Sequence, residues 1–501
     1  MDVQFGEWSK SLNALRAINA EWAVDIDLHQ EYLSNLFEQF GEEDMFLVLE
    51  DMLRHLDAYI CDNPLMFSCP DFHETVRDVL HEYFEGMHAF EFSAAMDLEA
   101  DALCRFCEAL YFRHANPPRE CGSTFIRKPP NVAIIDAKLA HIRAKPQPDQ
   151  RTAEWYKFRH DLLTASNAWK AFESQACMNQ LIYEKCKPLP QSPTSEKEHV
   201  NTASPMHWGQ KYEPVSRMVY EHMHKTRVAD FGCLQHDAYP FLGASPDGIN
   251  VDPASQRYGR MLEIKNVVNR DITGIPKKEY WIQMQLQMET AGLNECDFLE
   301  TQFAEEGDDD DYNNHNHNHN HNHTHNHNHN HNHNHNHNHN HNHNHNALLT
   351  GTMIYFMKCG KPHYEYEPIG LNRGESEAWF NDAMERNQAH MWMKTIRWRL
   401  EKMSCVLVLR NPLWFQHAIR VLDDMWQTIV KERDNPQGCE HRAPKRRSPK
   451  PASATSGSAT SGSATSGSAT SGSALMHAWL SIPPPPPERK CLIDMHSLGF
   501  E

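Results

Sequence analysis

Between residues 205 and 303 the spacing of apolar side chains switches from the helical to the extended period and back, which leaves few folds open. MHWGQKYEPVSRMVYEHMHK (206–225) reads as a helix, RVADFGCLQ (227–235) as a strand, and YPFLGASPDGIN (239–250) as a second strand broken at Ser245, Pro246, Asp247 and Gly248. A turn rich in Asp, Pro, Ser and Gly (252–259) leads into a strand, GRMLEIKNVV (259–268). PKKEYWIQMQLQMETAG (276–292) is then a helix bounded by Pro276 and Gly292, and ECDFLETQF (295–303) a further strand. Helix, three strands, helix and strand make an α/β core, a sheet with flanking helices.

With 501 residues, the chain has room for more than this core. Residues 1–145 form an expected acidic helical extension, with apolar spacings of three and four at Leu33, Leu36, Phe37 and Phe40 and again at Leu103, Phe106, Leu110 and Tyr111. Of the formal charge of −19, this third carries −14. Cys104, Cys107, His114 and Cys121 match no standard zinc spacing, and Cys104 and Cys107 fall on the apolar face of a helix, so buried cysteines are expected rather than zinc. The N-terminus MDVQFGEWSK has neither a basic flank nor an apolar run, and the 13 Cys are irregularly spaced, which suggests a reducing, intracellular compartment and no secretion. No apolar stretch approaches the roughly 20 residues of a spanning helix; CVLVL (405–409) is short enough to be a core element.

Two segments are of low complexity. From Asn313 to Asn346 His alternates with Asn, broken at Thr324 and holding sixteen of the 35 His, and it cannot form a packed core; residues 308–346 are read as a solvated insert between two strands. Residues 453–473 repeat SATSG as a flexible linker, preceded by the basic PKRRSPK (444–450), a nuclear signal, a phosphate-binding arm or a solvated charge run, and followed by a Pro run (483–487). The chain thus divides into the extension 1–145, a core over 146–370, C-terminal helices over 371–440 around EAWFNDAMERNQAHMWMKTIRWRL and NPLWFQHAIRVLDDMWQTIV, and a tail 441–501.

The chemistry is concentrated in the core. Glu263 and Lys265 lie at i and i+2 on one face of a strand, with Leu262 and Ile264 on the other. Asp247 sits where Pro246 and Gly248 let the adjacent strand turn its carboxylate toward the same place. Two carboxylates and a backbone carbonyl are hard oxygen donors suited to Mg2+, and a neighbouring lysine can orient or deprotonate a water and offset charge on a phosphoryl group. A same-face ion pair beside a plain turn would give the same triplets taken singly. Their joint order, S-P-D-G, then E-I-K sixteen positions after Asp247, then a Gln-rich helix, with Glu213 on the first helix as a third acid, favours a phosphodiester-hydrolysing site.

These residues, with LLTGTMIYFMKC after the insert and the upstream QRTAEWYKFRHDLLTASNAW, resemble the PD-(D/E)XK nuclease superfamily, and more narrowly its YqaJ-like viral recombinases related to lambda exonuclease. The upstream run carries W-x-x-x-R-x-x-x-x-T-A-S as Trp155, Arg159, Thr164, Ala165 and Ser166, and strings such as NQLIYEKC and EYWIQMQLQMET are similar to versions from giant DNA viruses. The resemblance implies a restriction-endonuclease-like mixed sheet flanked by helices. It implies Asp247, Glu263 and the Ile264 carbonyl as metal ligands, Lys265 as catalytic lysine, Glu213 as the helix-borne acid that completes the site, and Gln283 as the helix glutamine, with Gln287 on the same helix face. It also implies a pocket for a 5′-terminal phosphate at Arg159, Ser166 and Ser245. For Arg159 a surface pair with Asp161 or Glu154 is the alternative, for Ser166 a helix cap, and for Ser245 a turn.

The implied activity is a Mg2+-dependent 5′-to-3′ exonuclease on double-stranded DNA ends, with Mn2+ able to substitute, serving viral recombination, repair or genome maturation in a host cytoplasmic factory or nucleus. A single-strand annealing protein and a homo-oligomer are the expected partners. An endonuclease of the same fold and a non-catalytic DNA-binding assembly protein are the alternatives. The net charge does not exclude DNA, because residues 146–303 carry only −3, the size of the three proposed site carboxylates.

Overall fold

The computed structural model describes residues 42–87, 94–122, 130–148, 152–189, 201–305, 349–435 and 438–444. Leu33, Leu36, Phe37 and Phe40, the His-Asn run, the basic cluster beyond Pro444, the SATSG linker and the Pro run lie outside the described residues.

The described part of the N-terminal third is mainly helical: α1 (Glu42–Asp62), α2 (Phe72–Met87), α3 (Ala94–His114) and, after the two-residue β1 (Cys121–Gly122), α4 (Val132–Ala144). Spacings of three and four bury Leu49, Leu53 and Leu56 with Ile60 on α1 and Val76, Leu80 and Phe84 on α2, against Leu103, Phe106 and Leu110 of α3. Cys104 and Cys107 sit in this core, and burial pushes both thiols up in pKa. The same core runs on without a break to Leu163, Trp281 and Phe298 of the α/β region. Arg119, wholly buried, donates to the carbonyls of Ser68 (3.4 Å) and Pro276 (2.5 Å), while its own carbonyl accepts from the Trp281 indole (2.9 Å). The extension is thereby tied to the start of the glutamine helix.

The core continues through α5 (Ala153–His160), β2 (Leu163–Thr164), α6 (Ala165–Ala168), α7 (Gln175–Cys186), α8 (Pro205–His224), β3 (Val228–Ala229), β4 (Leu234–Gln235), β5 (Leu242–Ala244), β6 (Gly248–Asn250), β7 (Met261–Asn266), α9 (Lys278–Ala291) and β8 (Glu295–Glu305). After the undescribed insert come β9 (Thr350–Lys358), β10 (Lys361–Tyr366), α10 (Arg373–Arg386), β11 (Met391–Leu409) and α11 (Pro412–Arg433). The main sheet has the order β10-β9-β11-β8-β7-β6-β3, with β1 against the end of β11. It is mixed: β7 and β8 are parallel and joined through α9, and the other pairs are antiparallel. Leu262 and Ile264 face α8, packing with Tyr220, Val228 and Leu299. Glu263 faces α9. Gly292, at φ 65°, ends α9 in the left-handed conformation where glycine carries no Cβ penalty.

Two expectations need correction. RVADFGCLQ is not one strand but two, β3 in the main sheet and β4 in a three-stranded sheet ordered β2-β5-β4, because the chain leaves the first ladder at Asp230. The break at Ser245 to Asp247 does the same for the next segment, sending β5 to the small sheet and β6 to the large one. The region 371–440 is not purely helical either. MWMKTIRWRLEKMSCVLVL is the 19-residue strand β11, inserted between β9 and β8. Its apolar Ile396 and Trp398 alternate with Arg397 and Arg399, the period of a strand, and Ile396 and Trp398 are the buried pair.

Candidate active site

The site forms where β6 parts from β7. The Asp247 amide donates to the Leu262 carbonyl (3.2 Å), and its carboxylate accepts from the Ile264 amide (2.7 Å). Alternate residues of β7 therefore turn their peptide groups toward this edge, and the Ile264 carbonyl is directed to the same side, into a cleft of about 560 Å3 that Ile264 lines with Glu213, Arg217, Asp230 and Asp247.

Glu263, fully buried, is the hub. It is paired with the Lys265 ammonium and accepts from the amides of Gln283 (2.7 Å) and Gln287 (2.7 Å). The Gln287 amide also donates to the Ser245 carbonyl (3.1 Å), and the Tyr280 ring lies 4.9 Å from the Lys265 nitrogen. Spacing by three and four on α9 puts Tyr280, Gln283 and Gln287 on this face, as the sequence reading expects.

The electrostatics follow from the crowding of acids. Loss of solvent, and next the charge of Glu263, hold the Asp247 carboxyl well above its usual range, and the same two causes in the same order raise that of Glu213. Glu213 is exposed by area, yet it lines the cleft with Arg217, Asp230 and Asp247. Burial alone would lower the Lys265 pKa, but Glu263 and Asp247 outweigh it and hold the ammonium above its ordinary value. Among the described residues no three His, Cys, Asp or Glu side chains converge as a closed ligand set. The Glu263 carboxylate is engaged by Lys265 and the glutamines, and that of Asp247 by the Ile264 amide. The donor chemistry nonetheless fits a hard divalent cation: with the Asp247 and Glu213 pKa values raised beside Glu263, these carboxylates and a cleft-facing carbonyl are an excess of oxygen donors with too little positive charge among them.

The second group of expected residues lies beside the first. Arg159, at the end of α5, donates to the Ser245 hydroxyl (3.4 Å) and lies over the Trp155 ring (4.7 Å). Asp161, its alternative partner, is taken by His160 (3.2 Å) and Arg433 (3.6 Å). Ser166 is exposed on the second residue of α6, so it is not the cap of that helix; Thr164 holds the cap position. Parallel pairing of Thr164 with Gly243 brings Ser166 and Ser245 out at the same end of the small sheet, each two residues beyond the pair.

Sequence reasoning missed four neighbours. Lys185 of α7 is buried and donates to the carbonyls of Arg159 (2.8 Å) and Leu162 (2.5 Å), its pKa lowered to about 8 by burial and then by Arg159 and Arg433. Arg433 of α11 holds the His160 carbonyl (2.7 Å) and that of Lys185 (3.0 Å). Burial raises the pKa of Cys233, and its neighbours Ser245 and Arg159 partly offset the rise. Asp230 lines the cleft and is paired with Arg217. Lys185, Cys233 and Arg433 lie 26, 74 and 274 residues from Arg159, and no local motif marks any of the four.

The fold and site define a class: a mixed sheet, helices on both faces, and D…E-x-K at the parting of two strands. Residues 154–294 match the family model described as YqaJ-like viral recombinase domain, so this segment is similar to that family. A protein of Acanthamoeba polyphaga mimivirus, the uncharacterized protein R354, is 26% identical over 319 residues, which cover 60% of this chain and 56% of that one. The chain thus spans little more than half the length of this curated relative. The alkaline exonuclease LHK-Exo of Laribacter hongkongensis aligns over 56% of this chain and 95% of its own, with 18% identity and a TM-score of 0.31; its complex with dAMP aligns over the same shares with a TM-score of 0.30. No described helix is long and apolar enough to cross a membrane.

Proposed function

We propose that this chain is a divalent-metal-dependent DNA nuclease, an exonuclease that degrades linear duplex DNA from its 5′ ends with Mg2+. The observation that carries the reading is the convergence of Glu263, Lys265 and two glutamines with Asp247 and Glu213 around one cleft. Asp247, Glu263 and the Ile264 carbonyl would hold the ion, with Glu213 beside them. When bound, the ion supplies a Lewis acid for a phosphate oxygen and a water of lowered pKa.

The chain's own residues prepare the rest. Glu263 keeps Lys265 protonated, which supports an electrostatic role for the ammonium, offsetting charge that builds on the phosphoryl oxygens. Gln283 and Gln287 fix both oxygens of Glu263, so the carboxylate cannot rotate away. Arg159, steadied by Trp155 and Ser245, can grip a terminal phosphate with charge-assisted hydrogen bonds, and Ser166 and Ser245 add hydroxyl donors. Exposed single strands would feed an annealing protein in recombination or genome maturation.

The test offers purified protein and Mg2+ three substrates: linear duplex with 5′-phosphate, linear duplex with 5′-hydroxyl, and closed circular DNA, with Glu263→Ala as control. Fast degradation of the 5′-phosphate duplex alone is the expected result. Cutting of the circle would identify an endonuclease, equal rates on both linear ends would remove the phosphate pocket, and inertness toward all three would leave a non-catalytic DNA-binding role.

A further inference from the structure

A second depression, of about 390 Å3, lies on the other flank of α8. Trp208 and Lys211 line it, whereas Glu213 and Arg217 line the catalytic cleft, and at about 100° per residue these two pairs face nearly opposite ways. Between the depressions runs a ridge, where the Asn266 side chain at the end of β7 donates to the Gly209 carbonyl of α8 (3.0 Å). Asn269, four residues beyond Lys265, is on the far wall. At ~3.3 Å per extended residue the depression therefore begins within about 13 Å of the catalytic lysine.

Its walls combine flat rings with cations. Tyr355 and Tyr364 stack across β9 and β10 with centroids 5.0 Å apart, and the Lys211 nitrogen lies 4.5 Å from the Trp208 ring. Lys394 of β11, half exposed, closes one side. Glu305 is the single carboxylate in the lining; it pairs with Lys211, accepts from the Tyr212 hydroxyl (3.1 Å) and lies 3.5 Å from Lys394, so the lining keeps an excess of one positive charge. The Trp208 indole N–H is buried without a hydrogen-bond partner among the described residues. Aromatic faces beside lysines are the chemistry that holds unpaired bases on an anionic backbone; a duplex, whose bases are stacked inside, offers no such faces.

We propose that this depression is a base-binding subsite for single-stranded DNA, seating a base a few nucleotides along the strand from the phosphate cleaved beside Lys265. The proposal rests on the nuclease reading for its place along the strand, but not for its ligand. The test therefore uses binding without catalysis. The full chain, in chelator and without metal, is titrated into a labelled oligothymidylate of about a dozen nucleotides, within the span single-strand sites occupy, and fluorescence anisotropy is read. Binding is expected to weaken about tenfold in Trp208→Leu and to be retained in Trp208→Phe. Lys394→Gln is expected to weaken it severalfold and to reduce its salt dependence. Melting curves check that Trp208→Leu is folded; if it is not, Lys394→Gln, on an exposed side chain, carries the test. Wild-type binding by both variants, or equal competition by blunt duplex or by thymidine monophosphate, would overturn the subsite. Trp208-dependent binding in a protein that cleaves no DNA would leave the subsite standing and remove the nuclease reading.

Discussion

One amide of Gln287 joins two parts of the site, donating to the Glu263 carboxylate at 2.7 Å and to the Ser245 carbonyl at 3.1 Å. Glu263 belongs to the proposed metal centre and Ser245 to the proposed phosphate pocket, so this side chain sets the spacing between the cleaved bond and the strand end. Its amide oxygen is buried without a partner among the described residues. Gln287→Leu keeps the bulk and removes both bonds. Hydrogen bonds to charged groups are worth ~1.5–3 kcal/mol, so a rate loss of at least about tenfold is expected, together with weaker preference for 5′-phosphate over 5′-hydroxyl ends. An unchanged preference would show that the two halves are positioned independently.

The mutual repulsion of Glu213, Asp247 and Glu263 predicts that the proposed ion stabilises the protein. Mg2+ at about 100 times its Kd is expected to add ~2.7 kcal/mol, seen as a rise in Tm by calorimetry. Asp247→Asn removes one acid, and is expected to lose most of that Mg2+-dependent rise while melting no lower than wild type in chelator.

Lys185 predicts a pH dependence whose sign is fixed. The unfolded lysine ionises near ~10.4, the folded one at about 8, so between these values the unfolded chain binds more protons and stability rises with pH. Lys185→Met is expected to lack this gain. Denaturation midpoints at about pH 7.5 and about pH 9.5, wild type against variant, measure the difference; parallel shifts in the two proteins would refute the assignment to Lys185.

Gly351 predicts a packing limit in the sheet. It pairs with Trp398 across β9 and β11, and a Cβ added there would meet the indole at 2.4 Å. The indole is buried and in edge contact with Phe303. Gly351→Ala is expected to cost ~1–3 kcal/mol by urea denaturation, and Trp398→Leu in the same chain to recover part of it.

How much of this could be read from the chain depended on the range of each interaction. Helices α8 and α9, strands β7 and β8, and the facing of Glu263 and Lys265 follow from local period, and the residues they carry meet in one site. β11 does not stand out in the sequence because MWMKTIRWRL follows a genuine helix without a Gly or Pro to mark the change, and its apolar residues satisfy both periods over a short window. Lys185, Cys233 and Arg433 were invisible for another reason. They support Arg159 from α7, from the loop before β4 and from α11, and sequence separations of 26, 74 and 274 residues leave no pattern to read.

The position of β11 also bears on how the protein is made. Though last of the described strands in chain order, it lies between β9 and β8, so β8 and β9 cannot join one sheet until β11 has been made. Such pairing between distant segments is slow to form. A nascent chain halted before Met391 would hold every proposed catalytic residue and yet lack the strand that closes its sheet. Synthesis itself would then act as a safeguard, withholding the proposed DNA-degrading site until β11 has been made.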